Sequence, residues 1–391
     1  MKRITVLGAT GSIGTNTLDV LARHREDFEV FALTGARQVE PMLALCVAHR
    51  PREVVMVDPP AARELAQRLA AEGLGHVVVH TGPEALDAVA SHPEVDMVMA
   101  AIVGAAGLSP CLAAARAGKR LLLANKEALV VGGEVFLAAV REGGATLLPI
   151  DSEHSAIFQS LPDDRSAWER RVDKIILTAS GGPFRTLEPQ ALRDVTPEQA
   201  CAHPNWVMGP KISVDSATMA NKGLELIEAL WLFGLDHTQL SVLIHPQSIV
   251  HSLVEYKDGS MLAQLSCPDM RTPIAHVLGL PDRIASGSPR LNLAQIARLD
   301  FEEPDLNLFP MLGLAMDSLR KADTLGPVFN AANEVAVDLF LNRGLKYPDI
   351  VRMVGHCLER FAGETLKTLD EAFDLDQRVR AHAQAWGASH A

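Results

Sequence analysis

Asp151-Ser152-Glu153 places two carboxylates and a hydroxyl directly after a short apolar run, Leu147 to Ile150. If that run is a strand, residues two apart point to the same side, and two like charges so placed repel unless a divalent cation lies between them. All-oxygen ligation favours Mg2+ or Mn2+ over zinc. The same spacing also fits a solvated strand end. A second cluster, Ser213-Val-Asp215-Ser216-Ala-Thr218-Met-Ala-Asn221-Lys222-Gly223-Leu-Glu225, gathers hydroxyls, an amide and a cation ahead of a helical stripe of Leu226, Leu230 and Phe233. Such a set suits a phosphate group, unless Ser216 or Thr218 simply caps that helix. Ser180-Gly181-Gly182 is a further glycine-rich polar loop, which reads equally as a tight turn. His203-Pro204-Asn205-Trp206-Val207-Met208-Gly209 sets a Trp and a Met among loop residues, either as a lid over a ligand or as an anchor onto the core. His245 and His251 lie on strand-like runs and read as structural; none of the 14 histidines stands in a His-Glu-x-x-His pattern.

A different chemistry marks the N-terminus. Gly8-Ala-Thr-Gly11-Ser-Ile-Gly14 follows the apolar run Ile4 to Leu7 and opens a helix carrying Ile13, Leu18 and Leu21. Glycines there let backbone N–H groups approach a pyrophosphate at a helix N-terminus. The second strand, Val30 to Leu33, runs into Thr34-Gly35-Ala36-Arg37-Gln38 with no acid until Glu40. An NAD site usually has Asp or Glu at that point, whereas a 2'-phosphate needs a cation or neutral donors, so the pattern favours NADP with Arg37 as partner, unless Arg37 is simply a solvated surface residue. Two further strand ends, Gly104-Ala-Ala-Gly107 and Asn125-Lys126-Glu127, put polar or glycine positions where open sheets bind ligands.

The elements that position these residues alternate. Strand-like runs at Ile4–Leu7, Val30–Leu33, Val54–Val57, Val77–Val79, Met97–Ala101, Leu121–Leu123 and Leu147–Ile150 are separated by helical spacing. This repeated β-α pattern predicts an α/β fold with a Rossmann-like, doubly wound parallel sheet and helices on both faces. Beyond Asp151, runs at Val242–Ile244, Ile249–Val254 and Met261–Leu265 predict a central α+β domain. The turn-rich stretch from Pro281 to Pro310 reads as a connector. The stripes Phe329, Ala332, Ala336, Leu339, Phe340 and Leu375, Val379, Trp386, with Thr368-x-x-Glu371 as a capping box, predict a C-terminal helical bundle. The expected division is residues 1–150, 151–285 with a lid at about 200–210, a linker at 286–312, and 313–391.

The chain has 391 residues, 48% hydrophobic and 21% charged, which fits two or three folded domains. A net charge of -12 argues against a nucleic-acid partner. The longest apolar stretch, Met97 to Leu108, is too short and glycine-broken to span a bilayer. Five well-separated cysteines without a Cys-x-x-Cys pair suggest neither a disulfide framework nor a thiolate metal site, and point to the cytoplasm.

These residues assemble into a resemblance. Gly8-Ala-Thr-Gly-Ser-Ile-Gly14, Ala100-Ala-Ile-Val-Gly-Ala-Ala-Gly107, Leu123-Ala-Asn-Lys-Glu127, Asp151-Ser-Glu-His154, Ser180-Gly-Gly-Pro-Phe-Arg185, His203-Pro-Asn-Trp206, Lys211-Ile-Ser-Val-Asp-Ser-Ala-Thr-Met219, Asn221-Lys-Gly-Leu-Glu225 and Asn330-Ala-Ala-Asn-Glu334 span nearly the whole chain. Together they closely resemble the 1-deoxy-D-xylulose 5-phosphate reductoisomerase family. The resemblance implies that Asp151, Glu153 and Glu225 ligate a divalent metal, Mg2+ or Mn2+; spacing alone does not choose Glu225 over Glu228. It implies that Ser180, Ser216, Asn221 and Lys222 hold the phosphate of a small sugar substrate, with Lys126, Ser152 and His203 on the sugar. NADPH is implied across Thr10, Gly11, Ser12, Ile13, Ala36, Arg37, Gln38, Asn125 and Glu127, with Gly209 in the lid. Ala36-Arg37-Gln38 departs from the Gly, variable, Asn pattern of many members. A homodimer is implied by the resemblance alone. Two other readings are an NADP-linked, metal-assisted dehydrogenase, which needs no phosphate cluster, and an NADP-sensing regulator, which leaves the three acids without purpose.

Overall fold

The computed structural model describes every residue except Val207, Thr365 and Ala391, and the side chain of Asp323. Val207, inside the expected lid, therefore lies outside the described residues. The chain forms two compact units. One comprises Met1–Ala128, Phe136–Ser155 and Asp269–Pro289; the other comprises Leu129–Val135, Ala156–Pro268 and Arg290–Ala391.

The first unit is built on strands Lys2–Leu7 (β1), Phe28–Gly35 (β2), Glu53–Met56 (β3), Val78–Thr81 (β4), Met97–Ala100 (β5), Arg120–Leu123 (β6) and Thr146–Pro149 (β7). They form one parallel sheet in the order β4-β3-β2-β1-β5-β6-β7. All seven strands expected from the β-α pattern are present. Ile4, Thr5, Val6 and Leu7 are all fully buried. Because successive strand residues face opposite sides, both faces of the central strand are covered, as a parallel sheet requires. Strand order reverses between β1 and β5, so the carboxyl ends at Gly8 and Ala101 form the topological switch point where open sheets take ligands.

The same unit recruits the helix Arg271–Gly279 from far along the chain, packed on the helix Ser12–Arg23. Arg271 reaches Asp19 at 3.0 Å. His276 on this helix is 6% exposed; burial, aided by the charge of Arg283, pushes its pKa down to about 4. The folded pKa lies below the ordinary 6.5, so the unfolded chain binds more protons between those values and stability falls as pH drops through that window. Between pH 7 and pH 5, urea unfolding of the wild type should lose about 2 kcal/mol more than His276→Gln does. An equal pH dependence in the two proteins would remove His276 as the cause.

The second unit carries Val172–Ala179 (β8), Leu240–Ile244 (β9), Val250–Tyr256 (β10) and Met261–Leu265 (β11), ordered β11-β10-β8-β9. Three of these match the expected runs. The strand β8 was not foreseen: Ile175-Ile-Leu177 is a continuous apolar run without alternation, the pattern of a strand buried on both faces. It pairs parallel with β9 and antiparallel with β10, and delivers its carboxyl end into Ser180. The expected helical bundle is present as Pro310–Ser318, Ala322–Leu341, Tyr347–Arg360 and Leu369–His390, with Ala322–Leu341 packed against both of the latter two. The Thr368 hydroxyl accepts from Glu371 N, and Glu371 Oε2 accepts from Thr368 N, each at 3.2 Å, completing the capping box. Trp386 departs from the expected inner stripe. It stays partly exposed and stacks on His390, while Gly387 fills the tight place beside Leu339.

Candidate active site

At the nucleotide end, Gly8 has φ 77 and its N–H donates to the Thr34 hydroxyl at 2.9 Å. Ala9 N–H donates to the Thr34 carbonyl at 2.8 Å, so the end of β2 holds the turn after β1. Thr34 is a contributor that sequence reasoning missed; only its place at a strand end hinted at it. The helix Ser12–Arg23 starts at Gly11 with no side-chain cap among the described residues and no acid in its first turn. Its orphan N–H groups and positive dipole end are left for an anion. The helix Pro59–Ala71 contrasts with it, being capped by Asp58. Thr10 and Ile13 are half-buried, whereas Gly11, Ser12, Ala36, Arg37 and Gln38 are exposed around this turn. Arg37 is 84% exposed and 3.7 Å from Asp58, an acid at the end of β3 that already accepts from Ala61 N. Glu40 is paired with Arg68. Arg37 thus remains the cation presented at the end of β2. The Asn125 side chain caps the helix Lys126–Gly143 through Ala128 N and donates to Gly104 O at 3.0 Å, while Glu127 is buried in that helix's first turn.

The acids of the first unit are not on an extended strand. Ser152 opens the helix Ser152–Ser160, and Asp151 precedes it. The Asp151 carbonyl accepts from Ser155 N and its Oδ1 from Glu153 N at 3.2 Å, so helix capping sets their geometry. Lys126 Nζ lies 2.7 Å from Asp151 Oδ2, and His154 Nδ1 lies 3.1 Å from Oδ1. Burial opposes the charge of Asp151, but Lys126 and His154 outweigh it and hold its carboxyl well below the ordinary value. The group is an ionised oxygen donor across the neutral range. The Ser152 hydroxyl donates to Glu153 Oε2 at 2.6 Å.

In the second unit, the hydroxyl and amide cluster spans two helices rather than preceding one. Pro210–Thr218 ends at Met219, φ 64, and Ala220–Phe233 begins at once. Glu225 is 1% exposed and accepts from Asn221 Nδ2 and Lys222 Nζ on its own helix; Glu228, one turn on, is also fully buried. The Thr218 hydroxyl accepts from Ala220 N, but the cap residue of that helix is Met219, which makes no side-chain cap bond. The Ser216 hydroxyl makes no hydrogen bond among the described residues. Gly182 packs so closely that a methyl there would lie 2.8 Å from Ser216 O, which brings the Ser180 loop against the Ser216 turn.

His203 faces the same loop, with Nε2 2.9 Å from Ser180 Oγ. Its Nδ1 accepts from Trp206 N at 2.9 Å and Asn205 N at 3.2 Å, so the ring proton sits on Nε2 and is donated to Ser180. Burial lowers the His203 pKa, which keeps that neutral form. Ser180 Oγ also accepts from Gly182 N, leaving its own proton to donate to a ligand. Asn205 Nδ2 donates to Pro246 O at 2.6 Å, and the Trp206 ring lies 6.4 Å from that of His251. These contacts seat the loop. Gly209 precedes the helix Pro210–Thr218 in extended conformation, and its carbonyl accepts from Ser213 N. His245 and His251 are buried and hydrogen-bonded to Asp300 O and the Ser266 hydroxyl, as structural histidines.

Models of three domains match along the chain: 1-deoxy-D-xylulose 5-phosphate reductoisomerase over residues 4–133, its C-terminal domain over 147–233, and the DXP reductoisomerase C-terminal domain over 265–382. The chain belongs to the 1-deoxy-D-xylulose 5-phosphate reductoisomerase family. A family member from Ralstonia nicotianae is 57% identical over 389 residues, covering 100% of this chain and 99% of the relative. A solved DOX-P reductoisomerase in complex with NADPH, fosmidomycin and magnesium superposes with a TM-score of 0.94 at 44% identity, covering 99% of this chain and 98% of that one. The Zymomonas mobilis reductoisomerase in complex with NADPH gives 0.91 at 44% identity, covering 99% of each chain.

Proposed function

We propose that the protein isomerises 1-deoxy-D-xylulose 5-phosphate and reduces the product with NADPH to 2-C-methyl-D-erythritol 4-phosphate, a step toward isoprenoid precursors. The observation that carries this reading is a pair of acid-and-lysine sets, half-buried Asp151 with buried Lys126 in one unit and buried Glu225 with buried Lys222 in the other. An ordinary dehydrogenase needs neither. Asp151, Glu153 and Glu225 hold Mg2+ or Mn2+; all three donors are carboxylates, and the ionised state of Asp151 suits a hard dication. When bound, the cation supplies Lewis-acid polarisation of the substrate's neighbouring oxygens.

The chain's own residues do the rest. Ser180, Ser216, Asn221 and Lys222 take the phosphate, and Lys126, Ser152 and His203 orient the sugar. NADPH lies along Thr10, Gly11, Ser12, Ile13, Ala36, Arg37, Gln38, Asn125 and Glu127, with Gly209 closing from the lid. When bound, NADPH would supply the hydride that reduces the aldehyde carbon of 2-C-methyl-D-erythrose 4-phosphate, the resulting alkoxide taking its proton from solvent. Trp206 and Met208 exclude water during that transfer. In this reading residues 1–150 bind NADPH, 151–285 carry the chemistry, and the helical segment 313–391 follows a linker at 286–312.

A homodimer completes the proposal. It is supported by edge strand β11, where Met261 and Leu262, on opposite faces, are each 51% exposed. A solution mass of one chain would count against it. Among the described residues no helix is long and apolar enough to cross a membrane. A cytoplasmic location is supported by the five cysteines, which are free thiols, with burial pushing Cys46 up to about 12. The whole reading is tested by following NADPH absorbance with 1-deoxy-D-xylulose 5-phosphate, with and without Mg2+ or Mn2+. No metal-dependent oxidation by folded protein would sink it.

A further inference from the structure

The residues on both sides of Ser216 are held by the C-terminal helices, one through its side chain and one through its backbone. Before it, Asp215 is 1% exposed, pairs with Lys211 Nζ at 2.8 Å and accepts from Asn333 Nδ2 at 2.8 Å. After it, the Ala217 carbonyl accepts from the buried Tyr347 hydroxyl at 2.8 Å. These residues form the last turn of the helix Pro210–Thr218, where the Ser216 carbonyl accepts from Met219 N and the Ala217 carbonyl from Tyr347. The Tyr347 ring also stands edge-on to Phe184, centroids 5.4 Å apart at 89°. Phe184 belongs to the loop Ser180-Gly-Gly-Pro-Phe184. A single residue therefore touches both segments that carry the phosphate hydroxyls.

We infer that Tyr347 and Asn333 are positioning residues for the phosphate subsite, holding Ser216 and the Ser180 loop in place before the substrate arrives. The inference rests on the function proposed above. Two physical needs support it. A hydroxyl that must meet a phosphate dianion binds more tightly when its backbone is already ordered, because the ordering cost is not taken from the binding energy. Asp215 also needs partners, since a buried carboxylate next to Ser216 repels a phosphate; Lys211 supplies the opposite charge and the Asn333 amide donates a hydrogen bond that fixes the carboxylate's place.

Tyr347→Phe keeps the ring on Phe184 and removes only the hydroxyl, whereas Tyr347→Leu removes both contacts. Asn333→Ala removes the amide beside Asp215. The readouts are kcat, KM for 1-deoxy-D-xylulose 5-phosphate, the competitive Ki of inorganic phosphate, and NADPH affinity. For Tyr347→Phe and Asn333→Ala, KM and Ki should rise together by about threefold to tenfold, the range expected for one lost hydrogen bond. Tyr347→Leu should exceed Tyr347→Phe, with kcat within about twofold and NADPH affinity unchanged in all three, a split that mere loosening of the fold does not produce. Unchanged KM and Ki in folded Tyr347→Phe, or NADPH affinity weakening in parallel, would overturn the positioning role. Wild-type protein that fails to turn over the sugar phosphate would instead overturn the functional reading.

Discussion

Asp151→Asn and Glu225→Gln should each lower turnover by about a thousandfold or more while leaving NADPH affinity within about twofold. Each change is nearly isosteric and removes one negative oxygen donor. If the cation supplies about 4 kcal/mol of transition-state stabilisation, its loss corresponds to about three powers of ten in rate. The substituted amide also faces a buried lysine, Lys126 at 2.7 Å in one case and Lys222 in the other, and no longer offers it a negative oxygen. Some stability is lost with it, so the assay needs a control that separates unfolding from metal loss. NADPH fluorescence provides it, because the glycine turn and Arg37, the residues proposed for NADPH, lie at the ends of β1 and β2. Direct Mn2+ titration should show weakened binding in both variants. Loss of NADPH binding in step with turnover would refute the separation between nucleotide and metal residues.

How much of this was readable from sequence depends on how local each feature is. The glycine turn after β1 is local: Gly8 and Gly11 form it and Gly14 follows in the first turn of the helix, where only glycine allows a positive φ at Gly8 and the close approach at Gly14. The strands of the first sheet were legible for the same reason, since each is a short apolar run between helical segments. The strand β8 was not, because a centrally placed strand buries both faces and loses the alternation that marks a half-exposed one. The acids at Asp151 and Glu153 were found, but their geometry was misread as extended, since nothing local announced that Asp151 would cap the helix after it. Partners far apart in sequence were out of reach. Lys126 meets Asp151, His203 meets Ser180 and Tyr347 meets Ala217 only after the chain has folded. For these, the spacing carried no signal, and the family resemblance named some of the residues without their pairings.

Gly14→Ala should cost about 2 kcal/mol of stability and weaken NADPH binding by about a hundredfold or more, although a single methyl is added. Gly14 has helical neighbours and no positive φ, so the effect comes from space. The added carbon would lie 2.4 Å from Gly8 O and 2.6 Å from both Cα and O of Ala9, all of them backbone that cannot rotate away. The helix Ser12–Arg23 has to back off from the turn, which pulls Gly11 N from Gly8 O, now 3.1 Å apart, and swings the first-turn N–H groups away from where a pyrophosphate is held. Gly11→Ala is the informative comparison. Its added carbon meets nothing closer than Gly8 O at 3.4 Å, and its φ of -81 suits any residue. That variant should fold with near wild-type stability and lose NADPH affinity only through bulk at the ligand face. Thermal unfolding and NADPH fluorescence on both variants decide the matter. Equal stability of the two would mean that helix and turn are not in the close contact from which the nucleotide site derives its shape.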